Sequence, residues 1–165
     1  MPPKQLRIPY EDFDYARFDC VGQCSGGNQF MAFVTGAFRG PNHYIKLTEN
    51  WREIKRWLAV VHKFDADGNH LITECRLGGF DIDGHRVAVE KASNHLAQML
   101  EEMRLSGLRL CDVYVKPFSV QVDGVIYSLE YEHRVAENGK SHESVTLWPN
   151  DIMFHPPWDS GEYST

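Results

Sequence analysis

Two copies of an Asp-x-Asp-Gly-x5-Glu pattern have the spacing closest to a known ligand site. One copy spans residues 65–74 and the other spans residues 81–90. In a calcium-binding EF-hand loop these positions supply carboxylate ligands around a sharply turned glycine. The first ligand position is occupied by Lys63 in one copy, where the ammonium repels a cation, and by Gly79 in the other. We therefore expect a hairpin turn, a helix start and no metal site.

Two of the eight histidines have neighbours that suggest a function. His62 shares one face of a predicted strand with Leu58 and Val60, so we expect a partly buried ring with a structural hydrogen bond. A proton carrier or a ligand is the alternative role for this ring. A Pro-Pro-Trp segment follows His155 and either lines a pocket or anchors the tail. His62, His155 and Trp158 are therefore the candidate ligand-binding residues, and no residue is assigned a catalytic role.

The overall charge excludes some classes of partner. The net charge is −6 and the pI is about 5.7, so the protein repels phosphate backbones and we expect no nucleic-acid partner.

The longest apolar stretch, residues 57–61, is far shorter than the ~20 residues that span a bilayer, and we expect no membrane partner. Because the N-terminal residues lack the apolar run of a signal peptide, we expect a cytoplasmic protein.

The alternation of side chains over residues 125–132 predicts a partner-binding surface. Every second residue is apolar, which predicts a strand with one buried face and one solvated face. Glu130 and Glu132 then face solvent together, and an acidic face favours a basic protein partner because opposite charges speed encounter. Trp51 and Trp148, near the ends of elements, are further candidate partner-binding residues. Closing the ends of the sheet is the alternative role for these tryptophans.

Hairpin turns are marked by three dipeptides between runs rich in β-branched and aromatic residues. The dipeptides are Asp67-Gly68, Asp123-Gly124 and Asn138-Gly139. They tolerate the positive φ angles of a type I′ turn, which joins two antiparallel strands with little strain. Further strands are predicted at residues 15–21, 29–38 and 56–64.

One long helix is predicted after residue 84. Its apolar residues recur three and four positions apart and form a single stripe, which needs a sheet to cover it. The stripe consists of Val89, Ala92, Leu96, Met99 and Met103. The fold class is therefore α+β: a bent antiparallel sheet of about six to eight strands with one long helix packed on it. We expect residues 1–165 to form a single domain, with a loose N-terminal arm at 1–9 and an irregular aromatic and proline-rich tail at 149–165 that packs back.

Several strand and turn segments also bear a resemblance to a known family. The segments are Gly27-Asn28-Gln29-Phe30, Phe33-Val34-Thr35, Lys55-Arg56-Trp57-Leu58-Ala59-Val60, Phe64-Asp65-Ala66-Asp67-Gly68, Pro117-Phe118, Val120, Val122, Asp123-Gly124 and Phe154-His155-Pro156-Pro157-Trp158-Asp159. They resemble a family of small bacterial proteins often labelled formate hydrogenlyase regulatory protein. The resemblance spans most of the chain and implies a regulatory function. It carries no catalytic residue over to this chain.

These observations favour a non-enzymatic, cytoplasmic protein-interaction or regulatory module that needs no cofactor. One alternative is an immunity-type inhibitor of a toxin, which predicts a basic partner. Another is a small-ligand-binding domain or a small enzyme with a site near His62 or His155, where the imidazole would have to meet a carboxylate in a cleft. The oligomeric state is left open.

Overall fold

The computed structural model describes residues 1–10, 20–40 and 49–164. Most of the strand that the sequence predicts at 15–21 lies outside the described residues. Two helices are described, the single-turn α1 (Trp51–Ile54) and the long α2 (His85–Arg104). The strands are β1 (Leu6–Ile8), β2 (Cys20–Gln23), β3 (Gln29–Ala37), β4 (Arg56–Phe64), β5 (His70–Phe80), β6 (Arg109–Leu110), β7 (Val113–Val115), β8 (Phe118–Val122), β9 (Val125–Val135), β10 (Ser141–Trp148), β11 (Ile152–Phe154) and β12 (Tyr163–Ser164).

The described strands form three antiparallel sheets. The first sheet has the order β5-β4-β3-β2-β6, the second has the order β12-β11-β10-β9-β8, and β1 pairs with β7 in a small third sheet. The main core lies between the two five-stranded sheets, where Phe33 and Val60 from the first pack in one cluster with Tyr127 and Leu147 from the second. The mixed α+β class is confirmed. The prediction of a single bent sheet of six to eight strands is wrong, because the strands form a sandwich.

Helix α2 covers the other face of the first sheet. Five buried residues of the helix face that sheet, which confirms the stripe with Ala88 in place of the half-buried Val89. The five are Ala88, Ala92, Leu96, Met99 and Met103. Among the described helices, neither combines the length and the apolar character needed to cross a membrane. The layers therefore run helix, sheet, sheet, and each face of β3 and β4 is buried against a different layer.

One of the three predicted hairpin dipeptides forms the predicted turn. Asp123 and Gly124 both have positive φ, 50° and 81°, as a type I′ turn requires. In the other two turns only Gly68 and Gly139 have positive φ. In the second of these, the amide of Gly139 donates to the carbonyl of Ala136, which gives a longer turn with a glycine bulge. The antiparallel pairing is as predicted, but the turn type differs because the loop is longer than two residues.

Both chain ends contribute strands. Leu6 and Ile8, in the segment expected to be a loose arm, are buried in the main core through the pairing of β1 with β7. The tail packs back as expected, but it is not wholly irregular, since β11 extends the second sheet beside β10 and β12 follows it. Strands of two or three residues are too short to show a period of two, which is why the sequence pattern did not predict them.

Candidate functional site

A cavity of about 310 Å³ lies at one end of the first sheet. The register of the sheet builds it, since Arg56 at the start of β4 lies directly between Ala37 at the end of β3 and Phe80 at the end of β5. Helix α1 supplies another wall. We call this cavity the arginine pocket, and its lining residues are Phe38, Arg39, Glu53, Ile54, Arg56 and Phe80.

Two guanidinium groups of the arginine pocket share a single carboxylate. Arg39 donates from Nη2 to Oδ1 of Asp123 at 3.0 Å, and Arg56 donates from Nη1 to Oδ2 of the same residue at 3.3 Å. Asp123 is part of the type I′ turn of the second sheet. The amide of Gly40 donates to the carbonyl of Gly124 at 2.8 Å, which fixes the Arg39 segment against that turn. Two positive charges therefore face one negative charge at this wall.

Arg56 is the more enclosed of the two arginines. Its side chain is only 12% exposed, and its guanidinium carbon lies 5.2 Å from the centroid of the Phe80 ring. A guanidinium in this position keeps unused N–H donors and is less screened by solvent than that of Arg39, whose side chain is 53% exposed. The arrangement suits a carboxylate or a phosphate group, which guanidinium recognises through charge-assisted hydrogen bonds.

A buried carboxylate holds α1 in place beside the arginine pocket. Asp81, which is 4% exposed, accepts hydrogen bonds from Nε of Arg52 at 2.9 Å and from Nε1 of Trp57 at 3.1 Å. Its Oδ1 also lies 3.1 Å from Nδ1 of His85. Burial by itself raises the pKa of Asp81, but these three hydrogen bonds and the charge of Arg52 outweigh it and lower the pKa to about 2. Asp81 therefore ties α1 to β4 and to the start of α2.

His62 is fully buried in the main core, as its strand face predicted, although more deeply than expected. Its Nδ1 lies 2.7 Å from Oγ1 of Thr73, and Nε2 of His70 lies 2.7 Å from the same oxygen. Aromatic rings enclose it, including Phe118 at 5.1 Å and Tyr127 at 5.6 Å between centroids. With 0% exposure the imidazole is closed off from solvent, which is compatible with a structural role. A role in ligand binding or proton transfer stays a prediction.

The hydroxyl of Thr73 has one proton for two histidine rings. It donates to one ring and accepts from the other. Among the described residues, Nε2 of His62 has no hydrogen-bond partner. Because a buried orphan N–H is rarer than a buried orphan acceptor, the favoured arrangement has His62 donating from Nδ1 to Thr73, whose hydroxyl then donates to His70.

The burial of His62 predicts that acid destabilises the fold. Burial, with a smaller contribution from His70, lowers the pKa of His62 to about 3. The unfolded chain, with a histidine pKa of about 6.5, takes up a proton that the folded chain excludes. The free energy of unfolding should therefore fall as the pH drops below about 6.5, by up to about 1.4 kcal/mol per pH unit. Burial also lowers the pKa of His70, which acts in the same direction.

Urea unfolding between about pH 7 and about pH 4.5 measures this effect. His62→Leu is the matched control, since it keeps a similar volume and removes the titrating group. The variant should show a shallower decline in unfolding free energy than the natural chain. An equal decline in both proteins would contradict the assignment to His62.

His155 and Trp158 are placed on the tail, apart from the ring contacts of His62. His155 lies 5.4 Å from the ring of His142, and its Nε2 is 2.9 Å from Oγ of Ser164. Trp158 donates from Nε1 to the carbonyl of Met1 at 3.3 Å. The Trp158 carbonyl in turn accepts the amide of Arg7. These contacts anchor the tail to β12 and to the N-terminal segment, and a ligand-binding role for His155 and Trp158 stays a prediction.

The outer face of the second sheet carries three of the four candidate partner-binding residues. Glu130 lies opposite Thr146, and Trp148 lies opposite Ser128, so both face away from the core with Glu132. Tyr127 and Leu129 are buried, as the alternation predicted. The expected solvated face is only partly so, because Ser128 and Thr146 on it are buried. Glu130 and Glu132 are half-buried. Trp51 is elsewhere, on α1, where the ammonium of Lys55 lies 5.7 Å from its ring. A basic protein partner for the acidic face stays a prediction.

Sequence inspection missed the residues of the arginine pocket. Phe38 and Arg39 follow β3, Glu53 and Ile54 come from α1, and Asp123 comes from a turn more than sixty positions away from either. No spacing rule joins such segments. The available signal was indirect, since Asp123-Gly124 was recognised as a turn but not as the partner of two arginines. Within the described residues, no group of three or more histidine, cysteine or acidic side chains could hold a metal ion.

Comparisons with known proteins leave the chain without an assigned family. No family model matches it, and no curated protein or solved structure matches it either.

Proposed function

We propose that the protein is a non-enzymatic binding module and that the arginine pocket is its site for a small organic anion with an apolar body. The observation that carries this proposal is that Arg39 and Arg56 share one carboxylate, that of Asp123, at the wall of a cavity of about 310 Å³. Asp123 balances only one of the two guanidinium charges, so this side of the pocket, away from Glu53, favours an anionic group. Phe38, Ile54 and Phe80 supply the apolar surface.

The size and chemistry of the pocket support a small molecule. Ligand pockets range over about 300–1,000 Å³ and combine apolar walls with a few placed polar groups. The arginine pocket lies at the small end of that range. Binding would remove apolar ligand surface from water, at about 25 cal/mol per Å². The guanidinium groups would add charge-assisted hydrogen bonds that fix the orientation of the anion.

A ligand in this pocket would bridge parts of the fold that are distant in sequence. It would touch α1 on one side and, through Arg39 and Arg56, the turn that carries Asp123 on the other. Occupancy would stabilise one arrangement of these elements, because a ligand that binds the folded state favours it. Such a response gives the regulatory role implied by the sequence resemblance a physical basis.

Binding of phenylacetate and of its neutral analogue phenylacetamide tests the proposal. Calorimetry or ligand-observed NMR should show phenylacetate binding to the natural chain and much weaker binding of the amide. Arg56→Gln should weaken phenylacetate binding by about tenfold or more, because a hydrogen bond to a charged group contributes about 1.5–3 kcal/mol. Arg76→Gln is the control, since Arg76 instead pairs with Glu102 of α2 at 3.2 Å. Equal binding of both compounds, or no effect of Arg56→Gln, would rule against the site.

A further inference from the structure

We propose that the arginine pocket takes a zwitterion, namely a free α-amino acid with an apolar side chain, whose ammonium group is bound by Glu53. The inference rests on the proposed function and specifies its ligand class. The ligand must then carry a positive charge as well as a negative one, and Glu53 on the α1 wall of the pocket binds the positive charge.

Glu53 brings an unneutralised negative charge to the pocket. It lies in the exposed part of α1 and lines the cavity together with Arg39 and Arg56. Among the described residues, no cationic group lies within 4.0 Å of its carboxylate, whereas both arginines lie within 3.3 Å of Asp123. The acidic and basic groups of the pocket therefore remain apart and do not neutralise each other.

Separated opposite charges in a small cavity select for a ligand that carries both. The α-carboxylate of an amino acid would meet Arg39 and Arg56, and its ammonium would meet Glu53. Each contact is a charge-assisted hydrogen bond of the stronger kind. The side chain of the amino acid would then lie among Phe38, Ile54 and Phe80, which form the apolar part of the lining. A volume of about 310 Å³ is at the lower limit for ligand pockets and matches a single amino acid better than a larger metabolite.

Other anions satisfy only part of this arrangement. A dicarboxylate would place a second negative charge near Glu53 and be repelled. The C-terminus of a protein partner offers a carboxylate but an uncharged amide in place of the ammonium. An amine without a carboxylate would meet Glu53 but leave the guanidinium groups without an anion. Specificity then comes from the penalty for leaving a charged group of the pocket unpaired.

Three phenylalanine derivatives separate the two charge requirements. Phenylalanine carries both charges, N-acetylphenylalanine carries only the carboxylate, and phenylalaninamide carries only the ammonium. Calorimetry on the natural chain should give a dissociation constant for phenylalanine at least about tenfold lower than for either derivative. Leucine should bind about as tightly as phenylalanine. The walls around the ligand side chain are apolar and accept an aliphatic or an aromatic group.

Glu53→Gln tests the ammonium contact directly. It should weaken phenylalanine binding by about tenfold while leaving N-acetylphenylalanine binding unchanged or stronger. Glu90→Gln, on an exposed position of α2 that does not line the pocket, is the matched control and should behave as the natural chain. Melting of each variant verifies that it is folded.

The possible failures of the two proposals are distinguishable. If N-acetylphenylalanine binds as tightly as phenylalanine and Arg56→Gln weakens both, the zwitterion proposal is overturned and the anion site stands. If none of the three derivatives binds, and phenylacetate does not bind either, both proposals are overturned. Binding that Glu53→Gln leaves unchanged overturns the role of Glu53.

Discussion

Gly78→Ala is expected to lower the free energy of unfolding by about 3 kcal/mol, toward the upper end of the usual cost of overpacking a core. A methyl group at Gly78 would lie 2.6 Å from the carbonyl oxygen of Ala88 and 2.6 Å from the amide nitrogen of Ala92. Both atoms belong to the backbone of α2, so no side-chain rotation can relieve the contact. The helix would have to move away from β5, and the stripe that it buries would lose contact with the first sheet.

Gly79→Ala is the matched control for this effect. At Gly79 the added methyl group would lie 3.4 Å from the nearest atom, Cβ of Ala88, which is close to an ordinary contact. The φ angle is not positive at either glycine, so alanine can adopt the backbone conformation of both positions. Where no clash occurs, the substitution stabilises the folded protein by about 0.4–1 kcal/mol, because alanine lowers the conformational entropy of the unfolded chain. Urea unfolding should therefore separate two chemically identical substitutions at adjacent positions. Similar stabilities would mean that α2 is not packed this closely on β5.

Asp81→Ala is expected to cost about 3 kcal/mol of stability and to weaken ligand binding as well. The substitution leaves Nε1 of Trp57 without an acceptor and removes the ion pair that attaches Arg52 of α1. Because α1 carries Glu53 and Ile54, the wall of the arginine pocket that it forms would be released. Chemical denaturation and calorimetry with phenylacetate measure the two losses separately.

Asp83→Ala is the control for Asp81. The side chain of Asp83 is exposed and accepts one long hydrogen bond, 3.4 Å, from the amide of Phe80. Its removal should change stability by only about 0.5 kcal/mol, as surface substitutions usually do. A loss as large as that of Asp81→Ala would show that the buried network is not the cause.

The pH dependence of Asp81 differs from that of His62. Since the pKa of Asp81 is about 2 in the folded chain, below its value in the unfolded chain, its stabilising contribution is complete above about pH 4 and is lost as the pH falls toward 2. The contribution of His62 begins to decline near pH 6.5. Asp81→Ala should therefore leave the decline between about pH 6.5 and about pH 4.5 unchanged.

The sequence alone determined the helix and the strands that are long enough for their periodic pattern of apolar residues to be recognised. The strand predicted at 56–64 begins and ends at Arg56 and Phe64 in the structure, and the apolar stripe of α2 faces a sheet as expected. The burial of His62 and the outward placement of Glu130 and Glu132 also followed from alternation. Local patterns succeed here because a side chain's face is set by its position within its own strand or helix.

Only the tertiary structure decided what covers each face and which distant segments meet. A strand with one apolar face is compatible with a single bent sheet and with a sandwich, so alternation did not distinguish them. The close packing at Gly78 depends on the position of α2 over β5, and the pocket depends on Arg39, Arg56 and Asp123 meeting across two sheets. Such contacts join residues without any fixed spacing in the chain. They arise from the packing of whole layers, which no local period encodes.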